Sequence, residues 1–204
     1  RKVGSRRLLT ATLMTLLVTL ILLGPVVAIA AVLTDNMAEL SHAATHDSLT
    51  GLPNRELFHR QLDEALGTPD QTVAVAFVDV DEFKAVNDHF GHEVGDSLLC
   101  QIAGRLRKVV RGWDTVARYA GDEFIILLRG WKSEERLEEC GARIIDAFST
   151  PFELAECELE VGVSVGLAAG RAGATEGSLI VRRADEAMYR AKNAGKNRFH
   201  ISHR

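Results

Sequence analysis

Arg118-Tyr-Ala-Gly-Asp-Glu-Phe124 reads as a tight turn between two apolar strands, and the turn carries two adjacent carboxylates. The pattern predicts a first strand over Thr115–Tyr119 and a second over Glu123–Leu128. Gly121 falls where a hairpin needs positive φ, which glycine adopts without steric cost. Acidic residues are depleted within strands, so Asp122 and Glu123 at this turn point to metal or phosphate chemistry. Taken alone, a merely polar hairpin turn is the simpler account.

A second acidic stretch shifts the balance. Val73-Ala-Val-Ala-Phe-Val-Asp-Val-Asp81 is a continuous apolar run that ends in Asp79 and Asp81. Such runs suit a strand buried on both faces. A period of two puts Asp79 and Asp81 on one side of the chain. If this strand lies beside the hairpin, Asp79, Asp122 and Glu123 converge. Clustered carboxylates repel one another unless a divalent cation neutralises them. Oxygen donors without histidine or thiolate favour Mg²⁺, commonly shared with nucleotide phosphates. These residues therefore predict a Mg-dependent nucleotide enzyme.

The chain also resembles the GGDEF diguanylate cyclases. Five blocks occur in that family's order: Asp47-Ser-Leu-Thr-Gly-Leu-Pro-Asn-Arg55; Asp79-Val-Asp-Glu-Phe-Lys-Ala-Val-Asn-Asp88; Gly91-His-Glu-Val-Gly-Asp96; Arg118-Tyr-Ala-Gly-Asp-Glu-Phe124; and Ala184-Asp-Glu-Ala-Met-Tyr-Arg-Ala-Lys-Asn-Ala-Gly-Lys-Asn-Arg198. The resemblance runs over residues 47 to 201. One position departs: the family's first turn glycine is Ala120. If that position needs φ > 0, alanine costs roughly 1 kcal/mol, and its methyl group crowds a nucleotide lying over the turn.

The resemblance implies an activity and a set of roles. Two GTP molecules are condensed into cyclic di-GMP and two pyrophosphates by two-metal phosphoryl transfer. Asp79, the backbone carbonyl of Val80, Asp122 and Glu123 hold two Mg²⁺ ions, with Mn²⁺ as a substitute. Asp122 also accepts the proton of the attacking 3′-hydroxyl. Lys84 stabilises the transition state; on residues alone it is a solvated lysine. Lys192 and Lys196 bind phosphates, against a plainer role in complementing the helix dipole. Asn87 and Asp96 read guanine, since a carboxylate accepts from N1–H and N2–H groups that adenine lacks. For Asp96 the alternative is a helix N-cap. His92 lines the nucleotide pocket. Arg111-Gly-Trp-Asp114 matches an RxxD site through which the product inhibits the enzyme. Two phosphodiester bonds require two domains face to face, so a homodimer is implied. The competing reading is a catalytically silent receptor for GTP or cyclic di-GMP, favoured by Ala120. A structural dimerisation module leaves the clustered carboxylates unexplained, and a phosphodiesterase role has no second domain to carry it.

Composition sets the wider frame. The 204 residues are 47% hydrophobic, enough for one globular domain and a short extra segment, without internal repeats or low-complexity tracts. Net charge is -4, and residues 1–40 hold four basic and two acidic side chains, leaving -4 - (+2) = -6 on the remainder. An acidic domain is a poor partner for duplex nucleic acid. Cys100, Cys140 and Cys157 lack metal-type spacing and read as small buried residues of a reducing cytoplasm.

Leu8 to Leu33 carries no charge. As a helix it spans about 39 Å, against roughly 30 Å of hydrocarbon, and predicts a transmembrane helix over residues 8–33 behind a basic flank at 1–7. A signal peptide with Ala28-Ile-Ala30 as its cleavage site is the alternative, and it places a GTP-using domain away from its substrate. Arg1, Lys2, Arg6 and Arg7 before the span point the N-terminus inward by the positive-inside rule. That conflicts with a catalytic domain on the cytosolic side of a bacterial inner membrane. The chain begins with arginine rather than methionine, so an upstream part with further spans or a sensor is expected to set the orientation. Residues 34–46 predict a short coupling helix with Met37, Leu40 and Ala44 as a thin apolar stripe, or a plain linker; residues 47–204 form the catalytic domain.

Within that domain, helices are predicted over Asn54–Leu66, Gly95–Arg111, Ser133–Phe148 (capped by Ser133) and Ser178–Lys192 (closed by Gly195). Strands are predicted over Val73–Asp79, Glu158–Ala168 and Arg198–Ile201, besides the hairpin. This mixed order indicates an α+β fold. The family implies a palm-like fold of the class III nucleotide cyclase type, with a mainly antiparallel central sheet flanked by helices.

Overall fold

The computed structural model describes residues 43–202 except 132 and 156, together with positions 14, 16, 19 and 23. The predicted basic flank, the membrane span and most of the 34–46 segment lie outside the described residues. Among the described residues no helix is long and apolar enough to cross a membrane. Residues 45–204 make up a unit of their own, distinct from residues 1–44.

The apolar run becomes β1 (Thr72–Val80), the middle strand of a five-stranded sheet. β2 (Thr115–Ala120) and β3 (Glu123–Arg129) form the hairpin, β6 is Val163–Arg171 and β7 is Arg198–Ile201. The order is β2-β3-β1-β6-β7. Every pairing is antiparallel except β6 with β7. The expected mainly antiparallel central sheet flanked by helices is therefore present in the described domain.

Alternation along β1 divides the core between two faces. Val73, Val75 and Phe77 pack with Phe58 and Leu62 of α1 (Arg55–Gly67) and with Ile180, Ala184 and Met188 of α5 (Gly177–Asn193). Ala74, Ala76, Val78 and Val80 pack with Leu98, Ile102 and Leu106 of α3 (His92–Val109) and with Leu137 and Ile144 of α4 (Glu134–Ala147). Asp79 continues the odd series, so it emerges on the α5 side, where Lys192 waits.

Several elements differ from expectation. The helix predicted over Gly95–Arg111 begins at His92, and a separate helix α2 (Phe83–Phe90) precedes it. Gly91, at φ 85°, separates the two. α2 is only eight residues long and buries none of them fully; its short apolar face of Phe83 and Val86 packs partly on the core. The strand predicted over Glu158–Ala168 is two pieces, β5 (Glu158–Leu159) paired with β4 (Phe152–Glu153), and then β6. Asn54 is the cap of α1, accepting from the Leu57 amide at 3.0 Å, rather than its first residue. Ser133 occupies the cap position of α4 without a side-chain capping bond. Ala194 caps α5, and Gly195 follows it at φ 112°. Of the cysteines, only Cys140 is buried; Cys100 is exposed and Cys157 intermediate.

Candidate active site

The site grows from the end of β1 and the β2–β3 turn. Asp79 stands opposite Glu123 in the antiparallel register. The Val80 amide donates to the Asp122 carbonyl at 3.3 Å. The central strand and the turn are thus joined at the residues expected to carry the chemistry. Gly121 has φ 47°, as the hairpin requires. Ala120 is absent from the positive-φ residues and pairs with Glu123 across an irregularity between Arg118 and Ala120. The backbone cost expected for alanine therefore does not arise: the bulge absorbs the turn's curvature, and the left-handed residue is Gly121.

The electrostatics show excess negative charge. Asp79 is 6% exposed. Its Oδ2 accepts from the Lys192 ammonium at 2.8 Å. Burial pushes the Asp79 carboxyl above its ordinary range, and Asp122 and Asp81 push the same way against the pull of Lys192. Glu123 is also raised, by burial first and then by Asp79, Asp122 and Asp185. Asp185, on α5, was not among the expected site residues. Its only sequence signal was membership of the last motif block.

Asp81 departs from the cluster. Its Oδ1 accepts from Ser164 Oγ at 2.7 Å and its Oδ2 from the Asn197 amide at 2.9 Å. Among the described residues no three His, Cys, Asp or Glu side chains close on one point. The register brings Asp79, Asp122 and Glu123 to one corner of the sheet. The donor set still fits a divalent cation such as Mg²⁺: it is all hard oxygen, and two members bear raised proton affinity that a cation relieves.

The residues expected to bind phosphate and to read the base lie on α2, α3, α5 and the turn after α5. Lys196 Nζ lies 2.9 Å from Glu82 Oε1. Lys84 is exposed on α2, as are His92 and Asp96 near the start of α3. Asp96 lies within α3, whose N-cap is Gly91, so the capping alternative does not apply. Gly95 brings Asn87 and Asp96 together. A Cβ at position 95 falls 1.9 Å from Asn87 Oδ1, so the Asn87 amide rests on the backbone just before Asp96.

The RxxD residues form a separate locus. Asp114 accepts from the amides of Arg111 and Arg129, each at 3.0 Å. They line a cavity of about 50 Å³ with Arg129, Arg136 and Arg143. The buried Nε of Arg129 has no hydrogen-bond partner there. Arg136 and Arg143, on α4, carry no local motif, and only the packing of α4 reveals them.

A mainly antiparallel five-stranded sheet whose β2–β3 turn sets Asp122 and Glu123 beside the end of the central strand agrees with the fold that the motif blocks imply. The family model "Diguanylate cyclase, GGDEF domain" matches residues 44–198, and the chain belongs to that family. It is 39% identical over 163 residues to the bifunctional diguanylate cyclase/cyclic di-GMP phosphodiesterase MucR of Pseudomonas aeruginosa, covering 78% of this chain and 24% of MucR. The GGDEF domain of TpbB from the same organism superposes with TM-score 0.73 at 36% identity, over 78% of this chain and 94% of that one. The coiled coil and GGDEF domain of DgcB from Caulobacter crescentus, solved with c-di-GMP, gives TM-score 0.78 at 26% identity, over 88% of this chain and 96% of that one. The chain thus spans about a quarter of the length of MucR.

Proposed function

We propose that this chain is a diguanylate cyclase that condenses two GTP molecules into cyclic di-GMP with release of two pyrophosphates. The observation that carries this reading is the Asp79–Glu123 register, with Asp122 hydrogen-bonded to Val80 and Lys192 on Asp79. Asp79, the Val80 carbonyl, Asp122 and Glu123 are the residues that would hold Mg²⁺, which would supply Lewis-acid activation of the 3′-hydroxyl and charge neutralisation at the α-phosphate.

The protein's own residues supply the rest. Asp122 accepts the 3′-hydroxyl proton. Lys84 offsets charge at the transferring phosphate. Lys192 and Lys196 exchange their carboxylate partners, Asp79 and Glu82, for phosphate oxygens. The Asn87 amide and the Asp96 carboxylate select guanine, and His92 borders the pocket. Each domain supplies one nucleotide, so a homodimer completes the product ring. Arg111, Asp114, Arg136 and Arg143 form the product-inhibition site. Its support is the four-arginine lining with an unsatisfied Arg129 donor, which suits a phosphodiester anion. The apolar 8–33 stretch supports attachment to a bacterial inner membrane, and the need for GTP supports a catalytic domain in the cytosol.

The test is incubation of the full chain in detergent with GTP and Mg²⁺, followed by mass spectrometry. Cyclic di-GMP that disappears in Asp122→Ala supports the cyclase. Nucleotide binding without product makes the chain a receptor.

A further inference from the structure

We infer that Asp81 is a positioning residue that shapes the phosphate-binding turn after α5 rather than a metal ligand; this deepens the cyclase reading and rests on it. Lys196 (φ 60°) and Asn197 (φ 44°) are consecutive non-glycine residues in the left-handed region. Residues bearing a Cβ stay there only when their surroundings hold them. The Lys196 amide donates to the Ala191 carbonyl at 3.2 Å, and Asn197 is held by the Asp81 carboxylate, which is 9% exposed. Its Oδ2 accepts from the Asn197 amide at 2.9 Å. Its Oδ1 is fixed by Ser164 Oγ at 2.7 Å, and Ser164 is fully buried.

Gly162 makes this contact fit. A Cβ at position 162 meets both Asp81 Oδ2 and Asn197 Cβ at 3.1 Å. The neighbouring residue repeats the tie: Glu82, itself at φ 60°, accepts from Lys196 Nζ at 2.9 Å. Together with Asp79 and Lys192, residues 79–82 are stitched to residues 192–197 by three side-chain contacts. Of these, the Asp81 contact is the one made to backbone. It sets the direction in which the Lys196 side chain leaves the turn relative to the metal-holding end of β1. Asparagine at position 81 preserves the arrangement: its Oδ1 accepts from Asn197 and its amide donates to Ser164 Oγ. Alanine removes both bonds.

The experiment measures a non-hydrolysable GTP analogue binding to the full chain with Mg²⁺, and amide hydrogen exchange at residues 194–199. Asp81→Ala is expected to weaken analogue binding about tenfold and to speed Asn197 exchange by at least about tenfold. Asp81→Asn stays within about twofold on both. Lys196→Ala matches the loss of Asp81→Ala, and the double variant is no weaker than the weaker single one. Wild-type affinity in Asp81→Ala, losses that multiply, or an Asp81→Asn as weak as Asp81→Ala each overturn the proposal. If Asp81→Ala does not fold, Ser164→Ala loosens the same carboxylate; its loss must vanish in the Lys196→Ala background, and persistence overturns the proposal. If the wild-type chain binds no analogue, the cyclase reading fails by itself. Asn197 exchange then decides alone whether Asp81 shapes the turn, and unchanged exchange in Asp81→Ala overturns it.

Discussion

Asp47 and Arg118 join the entry of the catalytic domain to its signature turn. Both carboxylate oxygens of Asp47 lie 3.1 Å from one terminal nitrogen of Arg118. The same guanidinium donates through Nε to the Gly121 carbonyl at 2.8 Å, and the Arg118 amide donates to Pro53 at 2.9 Å. Asp47 also accepts from the amide and hydroxyl of Thr50. One side chain therefore bridges the first motif block and the turn.

Arg118→Lys keeps the charge and loses the fork that spans Asp47 and Gly121. Turnover is expected to fall about tenfold, with a loss of stability of about 1 kcal/mol. Steady-state kinetics beside thermal melts check this, and equal effects on both from a purely structural role would show as unfolding rather than slowed turnover.

The same pair predicts an acid response. Burial pulls the Asp47 carboxyl upward, but the Thr50 hydrogen bonds and Arg118 outweigh it and leave the group below its ordinary value. A lowered folded-state pKa stabilises the protein above the unfolded value, and that contribution disappears as pH falls through the folded one. Stability should therefore decline below about pH 4, and the decline should be shallower in Asp47→Asn. Denaturant midpoints measured across that range read it out.

Ala120 is exposed and outside the left-handed region. Ala120→Gly should bring no gain in backbone strain and should lose up to about 1 kcal/mol through chain entropy. Cyclase rates within about twofold of wild type are expected, and a large rise would mean that the methyl group obstructs the nucleotide.

Gly95→Ala drives a methyl group into the Asn87 amide. The amide is the free end of a flexible side chain, so the helix survives, and alanine's better propensity offsets the disturbance. Weaker GTP binding and reduced preference for GTP over ATP are expected with an unchanged melting temperature. Competition binding with both nucleotides is the measurement.

Glu123 bears a charge that its burial and its neighbours disfavour. Glu123→Gln should raise the melting temperature while suppressing cyclase activity. Mg²⁺ should stabilise the wild-type chain and stabilise the variant less, by linkage. An unchanged response to Mg²⁺ would remove Glu123 from the metal site.

The sequence announced the elements with strong patterns. β1 is an unbroken apolar run, the hairpin has its glycine, and α5 has a regular apolar face. α2 escaped because it lies on the surface, with Phe83 and Val86 only partly buried. The close approach at Gly162 was invisible because the residues that meet it, Asn197 and Asp81, lie far along the chain. Asp79 and Asp81 looked equivalent by period alone. What separates them is the partner each meets, Lys192 or Ser164 with Asn197.

The sequence by itself determined the family, the central strand and the acidic turn, because ordered motifs and local periodicity reside in contiguous residues. Only the tertiary structure decided which carboxylate faces a lysine, which holds a strained turn, that Ala120 is free of positive φ, and that α4 adds arginines to the RxxD locus. Those outcomes depend on burial and on contacts between residues distant in the chain, and no local pattern encodes them.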